Sequence, residues 1–199
     1  MKKLAWFLPI GGCLGLVVYG LSAPQRTEAM PPFAQAAGQN CQLCHTMMPG
    51  LNAYGRNRRR LEQIVAGRFD ALIVRLVGLY GPGLKKNVIY DFMHDNNVHA
   101  IDSRAVFQFY DIRRLWRDVE LALDNELTLA HLPTEPVSVS DVARAAFGIE
   151  FTNEVSPSPP RYDVHTRYAS VFGGSNPYVE RKTDALSHIA AFVSAERKR

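Results

Sequence analysis

The segment Cys41-Gln42-Leu43-Cys44-His45 constrains this chain more than any other feature of its sequence. Two cysteines three positions apart, followed directly by histidine, form the attachment pattern of a c-type haem. The thiols bond to the two vinyl groups of the porphyrin, and the histidine ligates the iron from one face. The pattern therefore predicts one covalent haem c, with Cys41 and Cys44 as tethers and His45 as the proximal iron ligand.

Two other uses of a close cysteine pair fit the sequence less well. A thioredoxin-like redox pair requires a strand before the motif, whereas Pro31 and Pro32 precede it here. A zinc knuckle requires a second pair of ligands at similar spacing, and the sequence offers none. The motif thus favours haem over a redox disulfide or a structural zinc ion.

Further residues on both sides of the motif follow a recognisable pattern. Phe-Ala precedes the motif and Pro-x-Leu-Asn-x-aromatic-Gly follows it, at Phe33, Ala34, Cys41, Cys44, His45, Pro49, Leu51, Asn52, Tyr54 and Gly55. This pattern resembles a family of exported bacterial monohaem c-type cytochromes, and the resemblance covers only residues 30 to 60. It implies haem binding and export, and it leaves the electron partner and the second iron ligand open.

The second iron ligand has several candidates. An electron-transfer haem usually takes Met or His on its other face. Residues 88–94 offer both types among aromatic residues, which favours Met93 or His94, with His99 shortly after them. The remaining candidates are His131, His165 and His188. An open sixth position is the alternative, and it would favour ligand sensing or peroxidase-like chemistry.

The N-terminus has the layout of an export signal. Lys2 and Lys3 precede an uncharged, largely apolar run over residues 4–23, as in a secretory signal. Cleavage would remove residues 1–29, whereas an uncleaved run could span a bilayer as an anchor. Cys13 lies in this run and is expected to be a small buried residue rather than a lipidated one. Both alternatives place the chain in the periplasm or on the outer face of a membrane.

The remainder of the chain indicates a mainly α fold, a small c-type haem domain with irregular loops and an uncertain β-hairpin. A single domain would then cover 30–199, with a haem segment to about residue 100 and a helical extension over 101–199. Hydrophobic spacing predicts helices at 56–66, 104–123 and 184–196. A hairpin over 119–129 competes with the second helix, and residues 72–80 suit either a buried helix or a strand.

Charge argues against one class of partner. Without residues 1–29 the chain has 20 basic and 18 acidic residues, a net charge of +2, which is too balanced for a nucleic-acid-binding protein. The cluster Arg56, Arg58, Arg59 and Arg60 could face solvent, neutralise haem propionates or dock an acidic partner.

The function expected from these features is single-electron transfer by an exported cytochrome in a periplasmic or membrane-associated redox chain. Its partners would be redox proteins, among them a membrane complex, with membrane contact through residues 4–23. One alternative is a haem sensor or peroxidase-like enzyme with an open iron. The other is an accessory haem subunit of a membrane redox complex. A non-enzymatic carrier is favoured over an enzyme.

Overall fold

The computed structural model describes residues 4–9, 45–47, 50–51, 53–83 and 85–198. The strands are β1 Leu4–Pro9, β2 His45–Met47, β3 Gly50–Leu51, β4 Ala71–Leu76, β5 Gly78–Tyr80, β6 Val106–Phe107, β7 Phe109–Asp111, β8 Leu129–Leu132 and β9 Val137–Ser138. The helices are α1 Ala53–Arg68, α2 Val88–His94, α3 Leu115–Asp124, α4 Val139–Val142 and α5 Lys182–Glu196. Short 3₁₀ turns cover Val98–Ala100, Ile112–Arg114 and Ala169–Phe172, and a π turn covers Ala143–Phe147.

The central sheet consists of three parallel strands in the order β1-β4-β8. Strand β4 reads Ala-Leu-Ile-Val-Arg-Leu and is buried at all positions except Arg75, which is half-buried. A continuous apolar run of this kind is typical of a parallel strand covered on both faces. Pro9 pairs with Leu76, and Leu76 pairs with Leu132. The carboxyl ends of the three strands therefore meet at one edge of the sheet.

A second parallel pair continues from this edge. Strand β5 begins one residue after β4 and pairs with β7, so that Gly78 lies opposite Phe109 and Tyr80 opposite Asp111. A Cβ atom at Gly78 would lie 2.8 Å from the carbonyl oxygen of Gln108. Glycine is required there because the two backbones approach closely.

Two apolar clusters hold the layers together. One includes Leu72 and Leu132 of the central sheet and Val119 of α3. The other joins α2, α4 and α5, and includes a contact of 5.6 Å between the ring centres of Tyr80 and Phe192. Each fully buried Leu or Val stabilises the fold by roughly 1.5–3 kcal/mol.

Helix α1 is fixed to the sheet by a polar cluster. Glu62 of α1 accepts hydrogen bonds from the guanidinium of Arg75 in β4. Nη1 of Arg75 also lies 3.1 Å from Nε2 of His131 in β8. Arginine only donates hydrogen bonds, so Nε2 of His131 is the acceptor and the ring proton is on Nδ1.

The pH dependence of stability should report on this cluster. Burial and the Arg75 charge lower the pKa of His131 to about 4, below about 6.5 in an unfolded chain. The unfolded state therefore binds more protons between these values, and the free energy of unfolding should fall as pH falls from 6.5 to 4. We expect this residue to contribute about 1–3 kcal/mol of that loss. Urea titrations at several pH values should show a shallower loss in H131Q, and equal slopes in both proteins would contradict the account.

The structure corrects the expected secondary structure at several places. The predicted 104–123 helix is formed only from Leu115 onwards, after β6 and β7. Residues 71–76 and 78–80 are strands, one of the two structures that the sequence allowed for 72–80. The hairpin over 119–129 is wrong because residues 115–124 are helical. The mainly α fold class is therefore wrong. The C-terminal helix is confirmed as α5, beginning two residues earlier than predicted.

The predicted leader is described only in part. Strand β1 occupies residues 4–9, and residues 10–44 lie outside the described part of the chain. Within the described residues, no helix has the length and apolar character needed to cross a membrane. Export, cleavage and anchoring stay predictions from the sequence, as does the division of the chain at residues 29 and 100.

Candidate functional site

A groove of about 480 Å³ lies beyond the carboxyl ends of β7 and β8. The turn Ile112–Arg114 follows β7 directly and brings Arg114 to the groove. The chain leaving β8 is paired with a later segment, because Val179 N donates to Pro133 O at 2.8 Å and Glu135 N donates to Glu180 O at 2.8 Å. Ligands of open α/β sheets bind at this end of the strands, and the volume is typical of a small-molecule site.

Arg114 is the most constrained cation of the groove. Its Nη1 lies 3.0 Å from Oε1 of Glu180, and its Nη2 lies 3.9 Å from Oδ2 of Asp118. Its guanidinium also lies 5.8 Å from the centre of the Tyr110 ring. Contacts to two carboxylates and an aromatic face hold the guanidinium in one orientation before any ligand arrives.

Asp118 organises the wall formed by α3. Its side chain is fully buried, and it accepts a hydrogen bond of 2.7 Å from the hydroxyl of Tyr110. Arg117 Nη2 lies 2.7 Å from its other oxygen. Burial, together with the Asp118 charge, raises the pKa of Tyr110. Tyr110 therefore keeps its proton and stays a hydrogen-bond donor to Asp118.

Glu180 is the buried anion of the groove. Its side chain is 4% exposed, and Oε1 contacts both Arg114 and Nδ1 of His188, the latter at 2.6 Å. Its Oε2 atom is buried without a hydrogen-bond partner among the described residues, as are Nε of Arg114 and the hydroxyl of Tyr80. Buried polar atoms normally have partners. The ion pair of Arg114 and Glu180 thus has one hydrogen-bond donor, Nε of Arg114, and one acceptor, Oε2 of Glu180, without partners among the described residues.

The mouth of the groove has an excess of positive charge. Three arginines, Arg114, Arg117 and Arg181, line it together with the acids Glu180 and Asp184. The Arg181 side chain is exposed and forms no hydrogen bond or ion pair with the described residues. Guanidinium groups favour phosphate and carboxylate ligands because they can donate two parallel hydrogen bonds. The groove is therefore suited to an anionic ligand.

The described residues offer no site for a metal ion. No group of three or more histidine, cysteine, aspartate or glutamate side chains converges within that part of the chain. The exposed trio Asp163, His165 and Tyr178, in which Tyr178 donates to Asp163 at 2.6 Å, provides only one acid and one histidine.

The residues predicted to bind haem are not brought to this groove. Cys41 and Cys44 lie outside the described residues, and His45 is described only as the first residue of strand β2. Met93 packs against the apolar cluster of α2 and α5. The other two candidates for the second iron ligand, His94 and His99, are exposed. Their roles as ligands stay untested predictions.

His188, one of the weaker candidates, is the only predicted residue that the described structure places in the groove. Its Nδ1 lies 2.6 Å from Oε1 of Glu180 there. Sequence reasoning missed Arg114, Glu180 and Arg181. The sequence carried one usable signal, the close spacing of Arg113, Arg114 and Arg117.

Known proteins match this chain in fold but not in sequence. No protein-family profile and no curated protein matches the sequence. Solved structures do match. The NAD complex of the Bordetella bronchiseptica enzyme WbmG shares 18% identity at a TM-score of 0.57 over 79% of this chain and 56% of its own. The NAD complex of Bacillus anthracis dTDP-glucose 4,6-dehydratase shares 11% sequence identity at a TM-score of 0.56. This match covers 98% of this chain and 63% of the dehydratase chain. A UDP-galactose 4-epimerase shares 18% sequence identity at a TM-score of 0.52, and the match covers 77% of this chain and 60% of the epimerase chain.

These similarities establish the fold as the Rossmann-like α/β type with a parallel sheet. The chain spans less than two thirds of the length of each of these three enzymes. The expected cytochrome fold is wrong, and the resemblance around residues 30–60 does not extend to the fold. The haem c cofactor and all three haem-based functions are corrected with it, because the matching structures are a UDP-galactose 4-epimerase and NAD complexes of WbmG and a dTDP-glucose 4,6-dehydratase rather than cytochromes.

Proposed function

We propose that this chain binds a nucleotide sugar in the groove beyond β7 and β8, as the substrate-binding part of an epimerase or dehydratase fold. The observation that carries the proposal is the arginine-lined groove at the carboxyl end of a parallel sheet. The diphosphate would contact Arg117 and Arg181, and the sugar would enter towards Arg114 and Glu180. Enzymes with this fold act on UDP-galactose and dTDP-glucose, according to their names, which supports the same substrate class here.

Gly78 and Gly81 do not form a phosphate-binding loop for NAD. A dinucleotide-binding loop needs glycines that let the pyrophosphate approach the backbone. At Gly78 and Gly81 the space a Cβ atom would take is already filled by Gln108 and Ile112 of the same chain. The glycines that follow β1, Gly11, Gly12 and Gly15, lie outside the described residues. We therefore propose no redox step and limit the function to sugar-nucleotide binding.

Calorimetric titration of UDP-galactose and dTDP-glucose into the full chain tests this proposal. We expect saturable binding without added NAD, and a loss of affinity of about tenfold in R181A, since a hydrogen bond to a charged group contributes about 1.5–3 kcal/mol. Affinity should also fall as salt is added, because the contacts are exposed ion pairs.

The matched control is R167A. Arg167 is also exposed, but it lies over the ring of Tyr168, 5.9 Å from its centre, and does not line the groove. R167A removes one positive charge, as R181A does, so the affinity of R167A for the nucleotide sugars should stay within about twofold of the wild type. No saturable binding by the wild type, or equal losses in R181A and R167A, would contradict the proposal.

A further inference from the structure

The deepest part of the groove contains an incomplete hydrogen-bond network. Arg114 and Glu180 are joined through Nη1 and Oε1 at 3.0 Å. On the same two side chains, Nε of Arg114 and Oε2 of Glu180 are buried and have no partner among the described residues. One is a donor and the other an acceptor. Each unfilled group costs about 1–3 kcal/mol when buried, so this arrangement favours a molecule that fills both.

A hydroxyl group has the required chemistry. It donates one hydrogen bond and accepts up to two, whereas an ammonium group only donates and a carboxylate or phosphate oxygen only accepts. A phosphate at this depth would also face the Glu180 carboxylate, and the repulsion would be large at low exposure. The inner end of the groove therefore differs from its mouth, where the guanidinium of Arg181 has no partner among the described residues.

Resting on the nucleotide-sugar function above, we propose that Glu180 and Arg114 form a hydroxyl-recognition subsite, in which Oε2 of Glu180 accepts a hydrogen bond from a sugar hydroxyl and Nε of Arg114 donates to the same oxygen. His188 keeps the carboxylate oriented through its 2.6 Å contact with Oε1. Glu180 is then a specificity-determining residue, and the mouth arginines bind the phosphates.

Hexose and ribose rings both carry such hydroxyls, so the test needs ligands that contain only one of the two rings. Calorimetry would use galactose 1-phosphate, which has only the hexose, UDP, which has only the ribose, and UDP-galactose, which has both. We expect E180Q to weaken galactose 1-phosphate and UDP-galactose by about tenfold, since a hydrogen bond to a carboxylate is lost, while UDP changes less than twofold. A loss confined to the two UDP-containing ligands would assign the hydroxyl to the ribose and still support the subsite.

Two further variants make the test specific. D124N removes an exposed acid at the end of α3 that does not line the groove and should leave all three affinities within about twofold. R114K keeps a cation beside Glu180 but lacks Nε, so it should reproduce the E180Q pattern even if E180Q folds poorly. Thermal unfolding of each variant is measured alongside.

The two proposals fail in different ways. Equal effects of E180Q and D124N, with R114K unchanged, would overturn the hydroxyl subsite. UDP binding that is lost in R181A would still uphold the phosphate site. A crystal structure of the complex with only water between Arg114 and Glu180 would overturn it in the same way. Absence of binding by all three ligands to the wild type would overturn both.

Discussion

Replacing Asp118 with alanine is expected to destabilise the protein by about 3–5 kcal/mol, the usual cost of breaking a buried ion pair. Asp118 is fully buried and accepts from the Tyr110 hydroxyl at 2.7 Å. Its removal leaves that hydroxyl buried without an acceptor, and Arg114 and Arg117 lose a shared anion. Urea unfolding followed by fluorescence gives the free energy, and calorimetry with UDP-galactose should show that binding is lost at temperatures where the variant is still folded.

Asp124 supplies the matched control for this variant. It is exposed at the last position of the same helix, α3, so D124A should change the free energy of unfolding by less than about 0.5 kcal/mol. The free energy of unfolding of D118N should lie between those of D118A and D124A. Its amide oxygen still accepts from Tyr110, but the charge that holds the arginines is gone. A D118A protein as stable as D124A would refute the buried contacts of Asp118 with Tyr110, Arg114 and Arg117.

The G174A variant should lose about 3 kcal/mol of stability, at the upper end of overpacking costs. A Cβ atom at Gly174, in the groove wall, would lie 2.3 Å from the carbonyl oxygen of Tyr178 and 2.6 Å from Cα of Val179. Both are backbone atoms, so the clash cannot be relieved by rotating a side chain. The segment before Glu180 must move, and ligand affinity should fall together with stability.

The adjacent glycine separates a steric cost from a conformational one. Gly173 has a φ angle of 80° and open space where a Cβ would stand. G173A should therefore cost only about 1–2 kcal/mol, the penalty for a side chain in the left-handed region. Thermal and urea unfolding of the two variants provide the comparison. If G173A were the more destabilised of the pair, the close packing at Gly174 would be refuted.

Local patterns predicted some elements well. The α5 helix was predicted within two residues because Ile189, Phe192 and Val193 recur at helical spacing and are all buried. The same spacing misled for the helix predicted at 104–123. There Phe109 lies in a strand, and Trp116 is 67% exposed although it occurs at the same spacing as buried Val119. Spacing alone does not say which apolar positions have a neighbouring layer to pack against.

The parallel sheet could not be read from local sequence. Strands β4 and β8 pair although Ile73 and its partner Leu129 are 56 positions apart, and the linking chain contains other strands and the helices α2 and α3. An apolar run such as 72–80 is compatible with a helix or a strand until its partners are known. The same applies to the groove, since Arg114 and Glu180 are 66 positions apart and no short motif joins them.

The haem motif was misleading for the opposite reason, since it is wholly local. Its resemblance to exported cytochromes covers residues 30–60, whereas β4, β8, α3 and α5 all come from residues 71–196. Five residues of sequence carry strong chemical meaning, but they do not determine how the other elements pack. The pattern at 41–45 thus predicted a cofactor, and the fold of the larger part of the chain overturned the function built on it.

A crystal structure of the full chain with UDP-galactose tests the central claim most directly. We expect a parallel sheet with the diphosphate against Arg117 and Arg181, and one sugar hydroxyl between Nε of Arg114 and Oε2 of Glu180. A nucleotide sugar bound away from this groove would contradict the proposed site. A haem attached to Cys41 and Cys44 inside a helical domain would contradict the fold itself.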